Sequence, residues 1–249
     1  MPIFLYPEII LLKNMFLVAE IGVNWDGDFG LLEKMMNESK IAGFNAVKLQ
    51  AFNELMISGH PQLPRLIKTA VTAQNVKIIN DLANSVGIEW FCTPMYPEAV
   101  DFLDQYVSRF KIREFDGRPL IENKTTDLIE RILKTQKEVI ISSSVTPRQT
   151  KYYENSKIKW LYCVPKYPCQ IEDLDFTSLQ DFHGYSNHHP HFLAPLTASI
   201  LGGKIIEVHV TINKTGDYFD NNVSFDFNEA SELIKLIHQS SKIKTKSNS

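Results

Sequence analysis

The chain has little cysteine, no apolar run long enough to span a bilayer, and almost no net charge. Cys92, Cys163 and Cys169 are an odd set with no CxxC spacing. That argues against a disulfide framework and against a zinc site, and it fits a reducing, cytoplasmic setting. A formal net charge of −3 gives no global attraction to nucleic acid or to an anionic membrane, so any anion site must be local. A short apolar stretch, Pro2 to Leu12, lacks a basic leading region and is too short to cross a membrane. Residues 1–14 therefore read as an N-terminal extension, with Met15, directly before the first strand pattern, as an alternative start. Lysine and serine predominate over residues 242–249, which predicts a solvated, mobile end. A glycine-rich phosphate turn is also missing, because Gly22, Gly27 and Gly30 do not fit GxGxxG. This disfavours a doubly wound open sheet.

Hydrophobic residues make up 44% of the 249 residues and charged residues 22%, the balance of an ordinary globular chain with one large core. Short β-branched runs alternate with longer amphipathic segments, as in a parallel sheet with helical crossovers. The strand patterns fall at 16–21, 46–50, 88–93, 109–112, 139–142, 160–164, 184–187 and 205–211. Helical spacing follows each, at 31–42, 73–86, 98–106, 120–133, 147–155, 175–181, 193–201 and 228–238. Eight such units predict a single TIM (β/α)8 barrel over residues 15–241, a size usual for that fold.

In such a barrel the chemistry sits where strands end, and polar residues recur at all eight ends. Glu20 and Asn24 follow the first strand, Lys48 and Gln50 close the second, and Thr93 and Lys111 close the third and fourth. Ser142 to Ser144, Cys163 with Tyr167, and Ser186 to His188 follow in turn, and Glu207 and His209 lie on the eighth. Two lysines among hydroxyls can hold a small phosphorylated carboxylate. A desolvated lysine, Lys48 or Lys111, could instead form a Schiff base. His188 and His209, from adjacent strands, are an incomplete metal site whose imidazoles suit Mn, Fe, Co or Zn better than Mg. Each of these side chains could equally be a strand-end hydrogen-bonding group.

These residues resemble the sialic acid synthase family, the N-acetylneuraminate synthases and their legionaminic, pseudaminic and spore-coat relatives. The resemblance runs through Ala19-Glu20-Ile21-Gly22-Val23-Asn24 and Gly43 to Gln50, in the place of AGADAVKFQ. It continues through Phe91-Cys92-Thr93-Pro94 (FSTP), Phe110-Lys111-Ile112 (FKI), Val139 to Ser143 (ILST) and Cys163 with Tyr167-Pro168 (HCxxxYP). Gly184 to His188 (GYSDH) and Ile206 to His209 (IEKHFT) complete it. The resemblance implies condensation of phosphoenolpyruvate with an N-acylated amino-sugar aldehyde, giving a nine-carbon 2-keto acid and phosphate. It implies that Lys48, Thr93, Lys111, Ser142 and Ser186 hold phosphoenolpyruvate, that Glu20 and Tyr167 lie near the sugar, that Asp220 contacts its hydroxyls, and that Asn24 binds substrate. It also implies that His188 and His209 hold a divalent metal, Mn2+ first, with Mg2+ or Co2+ as alternatives. An acidic role in the loop after Lys111 falls to Asp116 or Glu114, with Asp116 the choice for a catalytic set of Glu20, Lys48, Lys111 and Asp116.

Several positions depart from the family pattern. Trp25-Asp26 replaces His-Asn, Pro165 stands for an asparagine, Asn187 for the aspartate beside the metal histidine, and Asn221 for the histidine of GPDH. Family members usually carry a C-terminal antifreeze-like domain that reaches the active site in a swapped dimer, whereas this sequence ends with the barrel. The expected partners are accordingly the two substrates, with a homodimer or a separately encoded antifreeze-like domain. The departures also leave open a barrel that has lost turnover and serves as a ligand-binding or interaction protein.

Overall fold

The computed structural model describes residues 15–243, so the extension at 1–14 and most of the predicted tail lie outside the described residues. Among the described residues eight strands form: β1 (Phe16–Gly22), β2 (Ala46–Ala51), β3 (Glu89–Pro94), β4 (Arg109–Ile112), β5 (Glu138–Ser143), β6 (Ile158–Tyr162), β7 (Gly184–Asn187) and β8 (Ile205–His209). Each pairs in parallel with its sequence neighbour, and β8 pairs back onto β1. This is the closed TIM (β/α)8 barrel expected from the eight units. Most strand ends lie within a residue of the sequence pattern, β6 beginning and ending earlier and β8 stopping at His209.

The crossovers are less regular than the periodicity predicts. Helices α1 (Phe29–Ala42), α2 (Val76–Val86), α3 (Pro97–Leu103), α4 (Glu114–Ile121), α5 (Asp127–Lys134), α6 (Leu193–Ile200) and α7 (Phe227–Ser240) surround the barrel. The segment expected as one helix over 120–133 is two. Asn123 takes a left-handed φ of 59°, and Thr126 caps α5 by accepting from Ile129 N. The segments 147–155 and 175–181 are not α-helices. Over 147–155 the chain closes i to i−3 turns, and only Pro147 and Thr150 are buried, too few for a helical stripe. In the second segment the Asp175 carboxylate accepts from both the N–H and the hydroxyl of Thr177, competing with helix formation, and only the 3-10 turn Leu179–Asp181 remains.

Local chemistry fixes the regular helices. Asp28 accepts from Gly30 N and Leu31 N to start α1, and Gly43, at φ 103°, ends it. Close approach is decisive at Gly184, where a Cβ would lie 1.8 Å from the Ile205 carbonyl oxygen and would keep β7 off β8.

Side chains two apart on a strand share a face, and the register Glu20↔Lys48, Glu20↔His209 and Ser186↔Glu207 puts these groups on one face. Beneath them inside the barrel Val18, Phe91, Ile140 and Leu161 are fully buried. The opposite strand face packs on the helices. A smaller cluster of Val23, Phe52, Leu66 and Ala70, with Met95 and Phe219 against it, joins the loops that follow β1, β2, β3 and β8 at the mouth.

Candidate active site

A cavity of about 390 Å³ opens at the C-terminal ends of the strands. Its deepest polar groups converge on one atom. Glu207 Oε1 accepts from Lys111 Nζ at 2.9 Å and from Ser186 Oγ at 2.8 Å, and Lys48 Nζ stands 3.7 Å away. Lys48 also pairs with Glu20 Oε2 at 2.9 Å and donates to Thr93 Oγ1 at 3.3 Å. Gln50 Nε2 donates to the other Glu20 oxygen at 2.7 Å. The backbone makes room for this crowding at Gly22, where β1 shifts register. Its φ is +54°, and a Cβ there would meet Asp220 Oδ2 and Glu20 Oε1, each at 3.1 Å.

Burial and charge pull the two lysines in opposite directions. Burial depresses both, but Glu20 and Glu207 together hold Lys48 above its ordinary value. For Lys111 burial wins, because it has Glu207 alone and is repelled by Lys48. Burial would raise Glu207, yet Lys111 and Lys48 draw its carboxyl down to about 2. Around this set, Ser142 Oγ and Glu207 Oε2 are buried with no hydrogen-bond partner among the described residues, and both residues line the cavity. An unpartnered hydroxyl beside two ammonium groups is a donor available to an anion.

The histidines stand at the wall. Their ring centroids are 5.5 Å apart, with the Tyr167 ring 4.9 Å from His188 and 5.5 Å from His209. His188 Nδ1 lies 3.1 Å from the Val164 carbonyl and must donate to it, which leaves Nε2 as a lone-pair donor. Burial, and next the neighbouring His209, lower His188 to about 4, so it is neutral near pH 7. His209 Nδ1 lies 3.2 Å from Asp220 Oδ2 and 3.3 Å from the Tyr167 hydroxyl. A carboxylate on Nδ1 again leaves Nε2 to ligate, the usual support of a metal histidine. No group of three or more His, Cys, Asp or Glu gathers for a metal among the described residues. A cation there would have the two imidazole nitrogens as its protein donors, its other positions falling to water or substrate oxygens.

Glu20, Lys48, Lys111, Ser142, Tyr167, Ser186, His188, His209 and Asp220 all line this one cavity. Thr93 lies just behind it, against Lys48. Asn24 sits behind the wall. It donates to the Val210 carbonyl and Ser224 Oγ and accepts from Asp220 N, so it positions Asp220. Asp116 is not among the lining residues. Its carboxylate makes two contacts with the Arg113 guanidinium, at 2.6 and 3.2 Å, and faces a separate surface groove, while Glu114 lines the cavity. Glu114 is therefore the acidic group of that loop that faces the cavity. The chief residue given no role from sequence is Glu207, although its place at a strand end between Ser186 and the lysines was legible.

Of the departures from the family pattern, Pro165 lines the cavity, and the others take part in the hydrogen-bond framework around it. Trp25 is fully buried and donates Nε1 to the Thr69 carbonyl. Asp26 holds Arg65, which also pairs with Asp217 and lies over the Phe219 ring, joining the loops after β1, β2 and β8. Asn187 bonds the His189 backbone, and the carboxylate beside His209 is Asp220. The Asn221 amide donates to the carbonyls of Asn213 and Lys214.

A model of the NeuB family matches residues 35–249. The chain is 28% identical to the N,N'-diacetyllegionaminic acid synthase of Legionella pneumophila over 256 residues, covering 89% of this chain and 71% of that one. It is 27% identical to the pseudaminic acid synthase of Campylobacter jejuni over 259 residues, covering 91% of this chain and 74% of the other. The N-acetylneuraminic acid synthetase of Leptospira borgpetersenii, solved with citrate, superposes with a TM-score of 0.81 at 25% identity, over 94% of this chain and 88% of that one.

Proposed function

The chain belongs to the NeuB family and is a sialic acid synthase-like enzyme, and on that footing we propose that it condenses phosphoenolpyruvate with an N-acylated amino-sugar aldehyde. The products are a nine-carbon 2-keto acid and phosphate. The observation that carries this reading is the convergence of Lys48, Lys111 and Ser186 on one carboxylate oxygen, with the unpartnered Ser142 hydroxyl in the same cavity. An oxygen held by two ammonium groups and a hydroxyl marks where a phosphate or carboxylate of the substrate is stabilised.

In this reading Lys48, Lys111, Ser142 and Ser186 hold phosphoenolpyruvate, with Thr93 supporting Lys48. The acceptor aldehyde lies between them and the wall formed by Tyr167, Asp220 and the histidines. C3 of phosphoenolpyruvate bonds to the aldehyde carbon, whose oxygen takes up a proton. Water adds at C2, and the C2–O bond to phosphate breaks, leaving the 2-keto acid. Glu20 and Glu114 face the cavity and can move the protons of these steps. A divalent cation held by His188 and His209, Mn2+ in the first instance, supplies polarisation of the acceptor carbonyl when bound. Asp220 orients the His209 ring, and Tyr167 shields both imidazoles on one side.

The test is phosphate release by metal-stripped protein given Mn2+, phosphoenolpyruvate and a panel of N-acyl hexosamines. Release that requires both sugar and metal supports the reading. Binding of phosphoenolpyruvate without release under any combination would instead indicate a barrel that binds but does not turn over. Among the described residues no helix is long and apolar enough to cross a membrane, which is compatible with a cytoplasmic biosynthetic enzyme.

A further inference from the structure

Three loops build the side of the cavity next to β1, β2 and β8, and one guanidinium outside the cavity grips all three. Arg65 lies on the short helical turn Leu63–Leu66 in the loop after β2. Its Nε donates to Asp26 Oδ1 at 2.7 Å, in the loop after β1. Its Nη1 donates to Asp217 Oδ2 at 2.9 Å and its Nη2 to the Asp217 carbonyl, in the loop after β8. The same guanidinium lies 4.8 Å over the Phe219 ring. A planar fork of donors can serve several oxygens and an aromatic face at once, which an ammonium cannot. The loops after β1 and β2 are themselves packed as one block. Trp25 Nε1 donates to the Thr69 carbonyl, and Gly27 lies so near Lys68 that a Cβ there would stand 2.6 Å from the Lys68 Cβ. Asn24 holds the inner limb of the loop after β8, at Val210, Asp220 and Ser224, and Arg65 ties its outer limb to the block. The family pattern has asparagine where Asp26 stands, so the charge that grips Arg65 belongs to this chain and not to the pattern.

We infer that Arg65 is a positioning residue for the acceptor, a role that rests on the synthase reading above. It seats Phe219, which packs with Met95 against the cluster of Val23, Phe52, Leu66 and Ala70. Val23 and Met95 line the cavity, and so does Asp220, the residue after Phe219. Loops held by few contacts open at little cost, and a wall that must be ordered when a ligand arrives subtracts that ordering from the affinity. A wall locked beforehand by Arg65 avoids the loss. Phosphoenolpyruvate does not share this dependence, because Lys48 and Lys111 project from β2 and β4 and are held by Glu20 and Glu207 on β1 and β8. The Asp217 side chain is 88% exposed, so its ion pair alone holds little. The grip comes from the fork acting together on Asp26, the Asp217 carbonyl and the Phe219 ring.

The experiment uses the whole chain and two readouts. Amide hydrogen exchange without substrates should be about tenfold faster over residues 212–222 in Arg65→Met, with the barrel strands unchanged. Phosphate release with Mn2+, phosphoenolpyruvate and an N-acyl hexosamine should show the KM for the sugar raised about tenfold and the KM for phosphoenolpyruvate unchanged. Arg65→Lys, which keeps the charge and loses the fork, should recover only part of both. Asp26→Asn suits the same left-handed turn, at φ 55°, and removes only the charge. It should move both readouts the same way by about threefold, and it decides the matter if Arg65→Met does not fold. Unchanged exchange overturns the inference whether or not the chain turns over. Faster exchange with neither KM changed, or with both raised alike, overturns the acceptor role, since a merely structural residue gives that result. No release by the parent chain with any acceptor overturns the synthase reading and the acceptor role with it, while exchange still decides whether Arg65 holds the loop.

Discussion

Lys111 Nζ stands 2.9 Å from Glu207 Oε1, and both side chains are almost wholly buried. The same oxygen accepts from Ser186 and faces Lys48, so Glu207 is the carboxylate partner of Lys111 and shares Lys48 with Glu20. Removing one partner of a buried ion pair leaves an uncompensated charge, which costs about 3–5 kcal/mol. Glu207→Gln should therefore lower the unfolding free energy measured in urea by about that amount and reduce phosphate release. A variant as stable as the parent would show that the lysines do not depend on Glu207.

The contact between His209 Nδ1 and the Asp220 carboxylate, at 3.2 Å, makes a second prediction. Asp220→Asn keeps the side-chain volume and removes the charge that supports the imidazole. Losing such an outer partner weakens metal affinity about 10–100-fold. Titration of stripped protein with Mn2+ should show that loss, and His209→Ala should lose metal and activity together. Unchanged Mn2+ affinity in both variants would remove His209 from the metal site.

Much of this arrangement was legible in the sequence, for identifiable reasons. Parallel strands buried on both faces read as short apolar runs, so the eight strands and the polar residues at their ends stood out. The crossovers after β5 and β6 did not, because apolar spacing at 147–155 and 175–181 cannot reveal that Asp175 will bind Thr177 in place of closing a helix. At the site, motif order located the lysines and histidines. Choosing between Glu114 and Asp116 needed three-dimensional information, since only the fold shows that Glu114 lines the cavity and Asp116 the neighbouring groove. Trp25 looked like a lost site residue in sequence and is a core residue bonded to the Thr69 carbonyl.

His188 supplies a pH prediction for the metal-free protein. Burial, followed by repulsion from His209, holds it at about 4, against an ordinary value of 6.5. As pH falls below 6.5 the unfolded chain takes up a proton at this residue and the native chain does not. Stability is therefore lost between pH 6.5 and 4 and changes no further from this group below that. The loss amounts to about 3 kcal/mol. Glu207, drawn down from 4.5 to about 2, contributes stability that is lost only at lower pH, whereas His183, also lowered by burial, contributes in the same range as His188. Urea unfolding between pH 6.5 and 4.5 should slope more steeply in the parent chain than in His188→Gln. Equal slopes would place the titration elsewhere.

Lys111 separates the condensation from imine chemistry. Its lowered pKa makes it the better Schiff-base candidate of the two cavity lysines, since Lys48 is held charged by two carboxylates. Attack on a carbonyl requires the neutral amine, however, and Lys111 donates to Glu207 at 2.9 Å, an interaction that favours the ammonium form and occupies its proton. A lysine serving as an anion anchor should give no covalent adduct. Borohydride reduction in the presence of a 2-keto acid should therefore leave the intact mass unchanged, while Lys111→Met should abolish phosphate release. Lys111→Arg, which restores the charge but not its compact shape, should recover only a small part of it. A reduced adduct mapped to Lys111 would instead establish an imine-forming aldolase and displace the phosphoenolpyruvate reading, because the same nitrogen cannot both hold the phosphoryl anion and form the covalent intermediate.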